Sequence, residues 1–335
     1  MRTMDETPLV RGDTTPSMLR PSDSRPARWT QRNPVGGRPC ELRVERAGVY
    51  GGDGADSGRP FFVFQSNLAP HAACPRGPGG GCRWSPPQPA AQDAHLYPDL
   101  PLRRHPGYDE RANADKPDFV ARRTALTRRE HTRMLSYHRD RARSLRAVDR
   151  NVRDTVRLLA DVGELDNTLL LFTSDNGFLL GEHRLFAKTL AYEPSLGIPL
   201  LMRGPSVPAG VTVDEMVSLV DIPATVADAA RATPLLELDG RSLLPVAAGA
   251  PGYAAVGIEA GAVGGARPGE FFYHGVRTDR YTYVEYPRTG EAELYDRLLD
   301  PGQLDNAAYR PTHRATRAAL RRLLARLRDR NETWW

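Results

Sequence analysis

The run Thr168-Leu169-Leu170-Leu171-Phe172-Thr173 constrains the fold of this 335-residue chain more than any other segment. Six uncharged residues, rich in leucine and closed by polar neighbours, predict a short strand buried on both faces, which requires packed layers above and below it. A second run, Ile198 to Met202, predicts another such strand. Leu145, Val148, Val152, Val156 and Leu159 recur at helical spacing and predict an amphipathic helix over 122–162, with Gly163 placed to end it. Val220 to Ala230 predicts a short helix with Pro223 in its first turn. Helix, strand, strand and helix in this order predict an α/β sheet with at least some parallel strands.

Beyond residue 270 the hydrophobic period changes. Phe271 to Thr278, Tyr281 to Tyr286 and Ala292 to Tyr295 predict a small antiparallel sheet, and Thr312 to Arg328 predicts a closing helix rich in Arg and Leu. Upstream the chain is different: 17 of its 29 prolines precede residue 120, where periodicity is scarce. Such a stretch buries too little apolar surface to offset the entropy of ordering it. The expected division is an irregular, poorly packed region over 1–58, an α/β domain over 59–250, and a C-terminal subdomain over 251–335. Within the poor region Phe61-Phe62-Val63-Phe64 predicts one short strand, leading to Ala69-Pro70-His71.

Charged residues make up 26% of the chain, and no run of about 18 apolar residues occurs, which excludes a membrane-spanning helix. Asp5, Glu6 and Asp13 lie where an export signal would be apolar, so the chain as written is expected in the cytoplasm. Its arginines are dispersed and the net charge is only +5, which argues against nucleic acid as the partner. The twelve arginines over 122–162 are expected to form a solvated face. Cys40, Cys74 and Cys82 are odd in number and unpaired by spacing, giving neither a disulfide framework nor a metal knuckle.

In open α/β sheets ligands sit beyond the carboxyl ends of strands, and Thr173 delivers Ser174-Asp175-Asn176-Gly177 to that place. A carboxylate beside an amide carbonyl offers hard oxygen ligands suited to Ca²⁺ or Mg²⁺. The competing reading is a tight Asn-Gly turn capped by Asp175. Lys188 follows within one loop, and Lys116 and Lys188 are the only lysines among 46 basic residues. In so arginine-rich a chain, a lysine marks a place where a compact ammonium fits and a guanidinium fork does not; the alternative is a chance surface lysine. His183 either lines the same site or is a satisfied loop histidine.

The run Phe172-Thr173-Ser174-Asp175-Asn176-Gly177, then Leu180-Gly181-Glu182-His183, Lys188, Tyr192-Glu193, Ile198-Pro199-Leu200 and Arg203-Gly204-Pro205, resembles the C-terminal half of the catalytic domain of type I sulfatases. These belong to the alkaline phosphatase superfamily, and the resemblance is nearest to the arylsulfatase and N-acetylglucosamine-6-sulfatase kind. Asp221-Ile222-Pro223-Ala224-Thr225, Asp239-Gly240-Arg241-Ser242-Leu243-Leu244, Glu293-Leu294-Tyr295-Asp296 and Asp300-Pro301 agree in order. The resemblance implies a partial alkaline-phosphatase-like sheet with flanking helices over 59–250, hydrolysis of sulfate esters, and a sulfated small molecule or glycan as partner. It further implies calcium ligands at Asp175 and Asn176, sulfate contacts from Lys188 and His71, and a supporting catalytic role for His183. Ammonium, imidazole and metal together would stabilise charge developing in the transition state.

The resemblance also implies a formylglycine made from the Cys, or in some members a Ser, of a C/S-x-P-x-R motif. Cys74 is followed directly by Pro75-Arg76 and Cys82 by Arg83-Trp84-Ser85, so no cysteine carries it. Ser24-Arg25-Pro26-Ala27-Arg28 satisfies the serine form, but Trp29-Thr30-Gln31 does not continue as the family does. Thr14-Thr15-Pro16-Ser17 resembles the tract before the nucleophile, yet Met18-Leu19-Arg20 stands where the motif should begin. The expectation is a C-terminal half with a truncated or frame-damaged N-terminal half. Two competing functions stand beside hydrolysis: a non-catalytic remnant with a residual metal or anion site, and an Arg-rich protein that binds an acidic polymer.

Overall fold

A computed structural model describes residues 28–31, 40–45, 61–72, 85–261 and 271–331. The chain divides into two compact units, Met1–Leu68 and Ala69–Trp335. The first contains a three-stranded antiparallel sheet of β1 (Arg28–Gln31), β2 (Cys40–Glu45) and β3 (Phe62–Gln65), with β2 in the centre. Strand β3 matches the predicted Phe61 to Phe64 run. Strands β1 and β2 lie inside the stretch expected to be irregular; antiparallel pairing of β1 with β2, and of β2 with β3, satisfies their backbone without needing a strong hydrophobic period of their own.

The second unit carries α1 (Asp118–Ala121), α2 (Arg128–Asp161), β4 (Leu170–Thr173), β5 (Leu179–Leu180), β6 (Phe186–Ala187) and α3 (Glu193–Leu196). It continues through β7 (Leu200–Arg203), α4 (Asp221–Ala229), α5 (Leu244–Ala247), β8 (Ala255–Gly261), β9 (Phe271–Thr278), β10 (Tyr281–Tyr286), β11 (Glu291–Asp296) and α6 (Arg314–Asn331). Helix α2 starts at Arg128 rather than 122 because Thr127 and Glu130 form a reciprocal capping box. It ends at Gly163, whose φ of 76° places it in the left-handed region a helix terminus favours. Its arginines are not simply solvated. Arg150 grips the buried Asp93 through both guanidinium nitrogens, at 2.9 and 2.6 Å, and Arg139 and Arg143 donate to the carbonyls of Leu100 and Leu96. These arms fasten the proline-rich 91–101 segment onto the helix.

The expectation of partly parallel, doubly buried strands fails at β4 and β7. They pair antiparallel, Leu170 with Arg203 through Thr173 with Leu200, as a two-stranded ribbon. Phe172 stays 40% exposed and Leu201 58% exposed. The apolar composition is that of a buried strand, but among the described residues no further strand extends this ribbon.

The C-terminal antiparallel sheet follows the sequence closely, in the order β11-β10-β9-β8. Strand β8 escaped prediction because its Ala-Val-Gly-Ile-Glu-Ala-Gly composition is weak for a strand; it is recruited by pairing with β9. One face of the sheet carries Val276, Tyr283 and Leu294 against Leu320 and Leu324 of α6. The other carries Tyr273, Val284 and Tyr286 against Ala191.

Two of the sequence motifs prove to be one staple. Asp221, fully buried at the start of α4, accepts hydrogen bonds from Ser218 N (2.8 Å), Arg241 N (3.0 Å) and the Tyr253 hydroxyl (2.7 Å). Thr225 Oγ1 accepts from Leu243 N at 2.9 Å. Burial, and then the Asp221 carboxylate, pushes the Tyr253 phenol up to about 12. Asp221→Ala would strand three donors and is expected to destabilise the chain by about 3 kcal/mol, read from the urea midpoint; a loss under about 1 kcal/mol would show that water replaces the carboxylate.

Candidate functional site

Strand β4 hands the chain to Ser174 at an end held by the Thr173 hydroxyl, which donates to the Pro199 carbonyl at 2.8 Å. Asp175 is exposed and Asn176 half-buried. The Asn176 amide donates from Nδ2 to the Gly177 carbonyl at 2.8 Å, which turns Oδ1 toward Lys188. Lys188 Nζ donates to that oxygen at 2.9 Å. Two residues twelve apart in sequence thus meet because β5 and β6 fold back as a short hairpin and Lys188 follows β6 directly.

The turn after Asn176 is fixed by α3. Gly177 N donates to the Ser195 carbonyl at 2.9 Å, and Phe178 N to the Pro194 carbonyl at 2.7 Å. A Cβ at Gly177 would overlap the Pro194 carbonyl, so glycine is required here for close approach. The segment after Lys188 is held equally firmly. Ala191 and Tyr192 are buried, Glu193 N donates to Gln303 Oε1 at 2.6 Å, and Glu193 Oε1 accepts from Arg277 at 2.7 Å.

His183 occupies the hairpin turn with φ at 51°, a left-handed conformation in which histidine is among the commoner non-glycine residues. It is 0% exposed. Its Nδ1 bonds Glu110 Oε2 at 2.7 Å, and its ring stacks on Tyr192 with centroids 4.0 Å apart. Placed so, the imidazole is tied to Glu110 through Nδ1, while its buried Nε2 has no partner among the described residues. His71 is exposed after the Ala69-Pro70 cis peptide, and its Nδ1 lies 2.9 Å from the Ala72 carbonyl. Ala72 packs with Phe178, Leu180 and Phe186, side chains of the same hairpin that leads to Lys188.

Asp175 and Asn176 supply oxygen of the kind a hard cation prefers. Ca²⁺ takes about six to eight such ligands, and among the described residues no cluster of three or more acidic, His or Cys side chains could hold a metal. The Asn176 oxygen already accepts from an ammonium. The described residues therefore do not by themselves make a calcium centre; they make an exposed carboxylate beside a fixed ammonium and amide. Ser24, Cys74 and Cys82 lie outside the described residues, and Cys40 stands in β2, paired in register with Gln31.

Several supporting residues were not singled out from sequence: Glu110, Lys116, Arg277 and Gln303. Lys116 carried a usable signal, being the other lysine of the chain. It is buried, donating to Glu110 at 2.9 Å and to the Leu304 carbonyl at 2.6 Å.

A family model described as Sulfatase matches residues 51–232, more than half of the chain. An arylsulfatase of Volvox carteri is 29% identical over 312 residues, covering 80% of this chain and 47% of that protein. Among solved structures, one in complex with its substrate D-glucosamine-2-N,6-O-disulfate is similar with a TM-score of 0.55 and 28% identity, covering 61% of this chain and 42% of the other. A phosphonate monoester hydrolase from Silicibacter pomeroyi is similar with a TM-score of 0.61 and 25% identity, covering 74% and 55%. The chain spans between 16% and 48% of the length of the first curated relatives it matches.

Proposed function

The chain belongs to the sulfatase family, and on that premise we propose that its site takes sulfate esters of the aryl or sulfated-glycan kind as a hydrolase. The observation that carries the reading is the Lys188–Asn176 contact of 2.9 Å beyond β4, inside the segment that matches the family. Lys188 holds a sulfate oxygen as a point charge, with Asn176 fixing where the ammonium stands. His71 contributes a second contact to the same anion. Fixed donors to the sulfate oxygens are what such a site needs, because charge developing on the transferring sulfuryl group, as the alcohol or phenol departs, is where electrostatic preorganisation acts. Asp175 and Asn176 are the residues that would face a cation supplied together with further oxygen ligands.

A second reading, sulfate-ester binding without turnover, is favoured by one observation: none of Cys40, Cys74 and Cys82 begins a Cys-x-Pro-x-Arg sequence. One experiment separates them. The full chain is incubated with calcium and either a chromogenic aryl sulfate or 6-O-sulfated glucosamine, with inorganic sulfate release and calorimetric binding measured together. Hydrolysis is the expected result, binding without release supports the second reading, and neither binding nor release would sink both. An aryl phosphonate run alongside tests whether a monoester of the other chemistry is preferred. No helix of the described residues is long and apolar enough to cross a membrane.

A further inference from the structure

Glu293, in the Glu-Leu-Tyr-Asp motif on β11, is 0% exposed. Its carboxylate is met by three phenol hydroxyls: Tyr192 donates to Oε1 at 2.7 Å, Tyr295 to Oε1 at 2.5 Å and Tyr286 to Oε2 at 2.5 Å. Three hydrogen bonds to one ionised acceptor are the strong kind, and they offset the cost of burying it. Two of the phenols belong to the C-terminal sheet itself. The third, Tyr192, belongs to the segment that carries Lys188, four residues upstream.

Tyr192 is also the neighbour of Glu193, Pro194 and Ser195. Those residues are gripped by Gln303 and Arg277 on one side and, through the Pro194 and Ser195 carbonyls, hold the Gly177 turn on the other. Lys188 and Asn176 are therefore set by the same short piece of chain, and Glu293 is the buried charge to which that piece is tied. On the far side of Tyr192, His183 stacks on its ring and links it through Glu110 to the buried Lys116.

We propose that Tyr192 and Glu293 are a positioning pair for the anion site, and that the C-terminal sheet sets through them where the Lys188 ammonium stands. The inference rests on the sulfate reading of that site for its consequence, while its geometry stands without it. Tyr192→Phe keeps the ring and its stack on His183 but removes the hydrogen bond to Glu293. Tyr286→Phe removes an equivalent bond to the same carboxylate, keeps the ring that packs against Ala191 and breaks no hydrogen bond of the Lys188 segment, and so reports what mere softening of the cage does.

The first readout needs no sulfate. Lys116 has a side chain of 0% exposure, so acylation of the folded chain by an amine reagent, mapped by mass spectrometry, follows Lys188 against the α-amino group as internal standard. Tyr192→Phe is expected to raise the Lys188 labelling rate by about threefold to tenfold, the worth of one lost hydrogen bond. Tyr286→Phe is expected to leave it unchanged, and Glu293→Gln, which still accepts from Tyr192, to stay near wild type. The second readout is calorimetry with inorganic sulfate: affinity should fall about tenfold in Tyr192→Phe and no further when Tyr192→Phe is added to Lys188→Ala. Equal labelling in wild type and Tyr192→Phe, or an equal rise in Tyr286→Phe, overturns the proposal. A labelling shift confined to Tyr192→Phe in a chain that binds no sulfate upholds the positioning role and removes the sulfate reading instead.

Discussion

Lys188→Ala is expected to weaken inorganic sulfate binding by about tenfold to a hundredfold, the range of a lost hydrogen bond between charged partners, with the urea midpoint unmoved. Folding should be indifferent because a half-buried lysine at a loop end contributes little to stability; it donates to the Asn176 amide oxygen. Lys188→Arg should recover only part of the affinity, since the guanidinium is planar, larger and donates in a fixed fork. Calorimetry on the three chains checks this. Equal affinities would mean that the ammonium faces solvent for no purpose, and the site assignment would be withdrawn.

The tyrosine cage predicts a steep loss of stability in alkali. Burial first, and then the charge of Glu293, holds the phenols of Tyr192, Tyr286 and Tyr295 well above their ordinary value. A folded-state pKa raised in this way contributes stability that is complete below the unfolded value of about 10 and is lost as pH rises toward the folded one. Above pH 10 the unfolded chain releases protons that the folded chain keeps, so stability falls by about 1.4 kcal/mol per pH unit for each such tyrosine, or about 4 for the three together. Tyr273 is raised for the same first reason and adds to the limb. The measurement is the slope of unfolding free energy between pH 9 and 11, in wild type and in Tyr286→Phe. About half a proton's worth of mean slope across that window, approaching one proton at its upper end, should vanish in the variant; identical slopes would show that the phenols ionise in the folded state as freely as outside it.

Much of this molecule was legible in its sequence where period and chemistry agreed. Strands β9, β10 and β11 and helix α6 alternate or repeat strongly enough to be placed almost to the residue, and Gly163 marked the end of α2. The pairing of β4 with β7 was not legible. A run of leucines reports that a strand is apolar; strand direction is a property of the connection, and here the connection returns through a hairpin and α3 as an antiparallel neighbour. Lys188 and Asn176 were legible because lysine is rare in this chain and because the polar residues follow the strand; their contact was not, since it depends on a glycine turn and on two backbone carbonyls of α3. The rarity that flagged Lys188 applied equally to Lys116, which proved to be a buried structural ammonium. Rarity alone does not tell a half-buried loop lysine from a buried structural one. For His183 the burial was not legible: its Nδ1 is met from behind by Glu110, a residue 73 positions upstream, while its buried Nε2 has no partner among the described residues.

The grip of the C-terminal sheet on the 188–195 segment has a genetic consequence. The residues that hold Tyr192 and Glu193 are encoded about a hundred codons downstream of them, at Arg277, Glu293 and Gln303. A premature stop before Gln303 would leave every candidate site residue in the transcript and still unfasten the lysine from its asparagine. Nonsense and frameshift alleles in this distal third should therefore phenocopy lesions in the site, whereas missense changes in the exposed Leu235 and Leu236, which are far nearer to Lys188 along the chain, should be inherited silently.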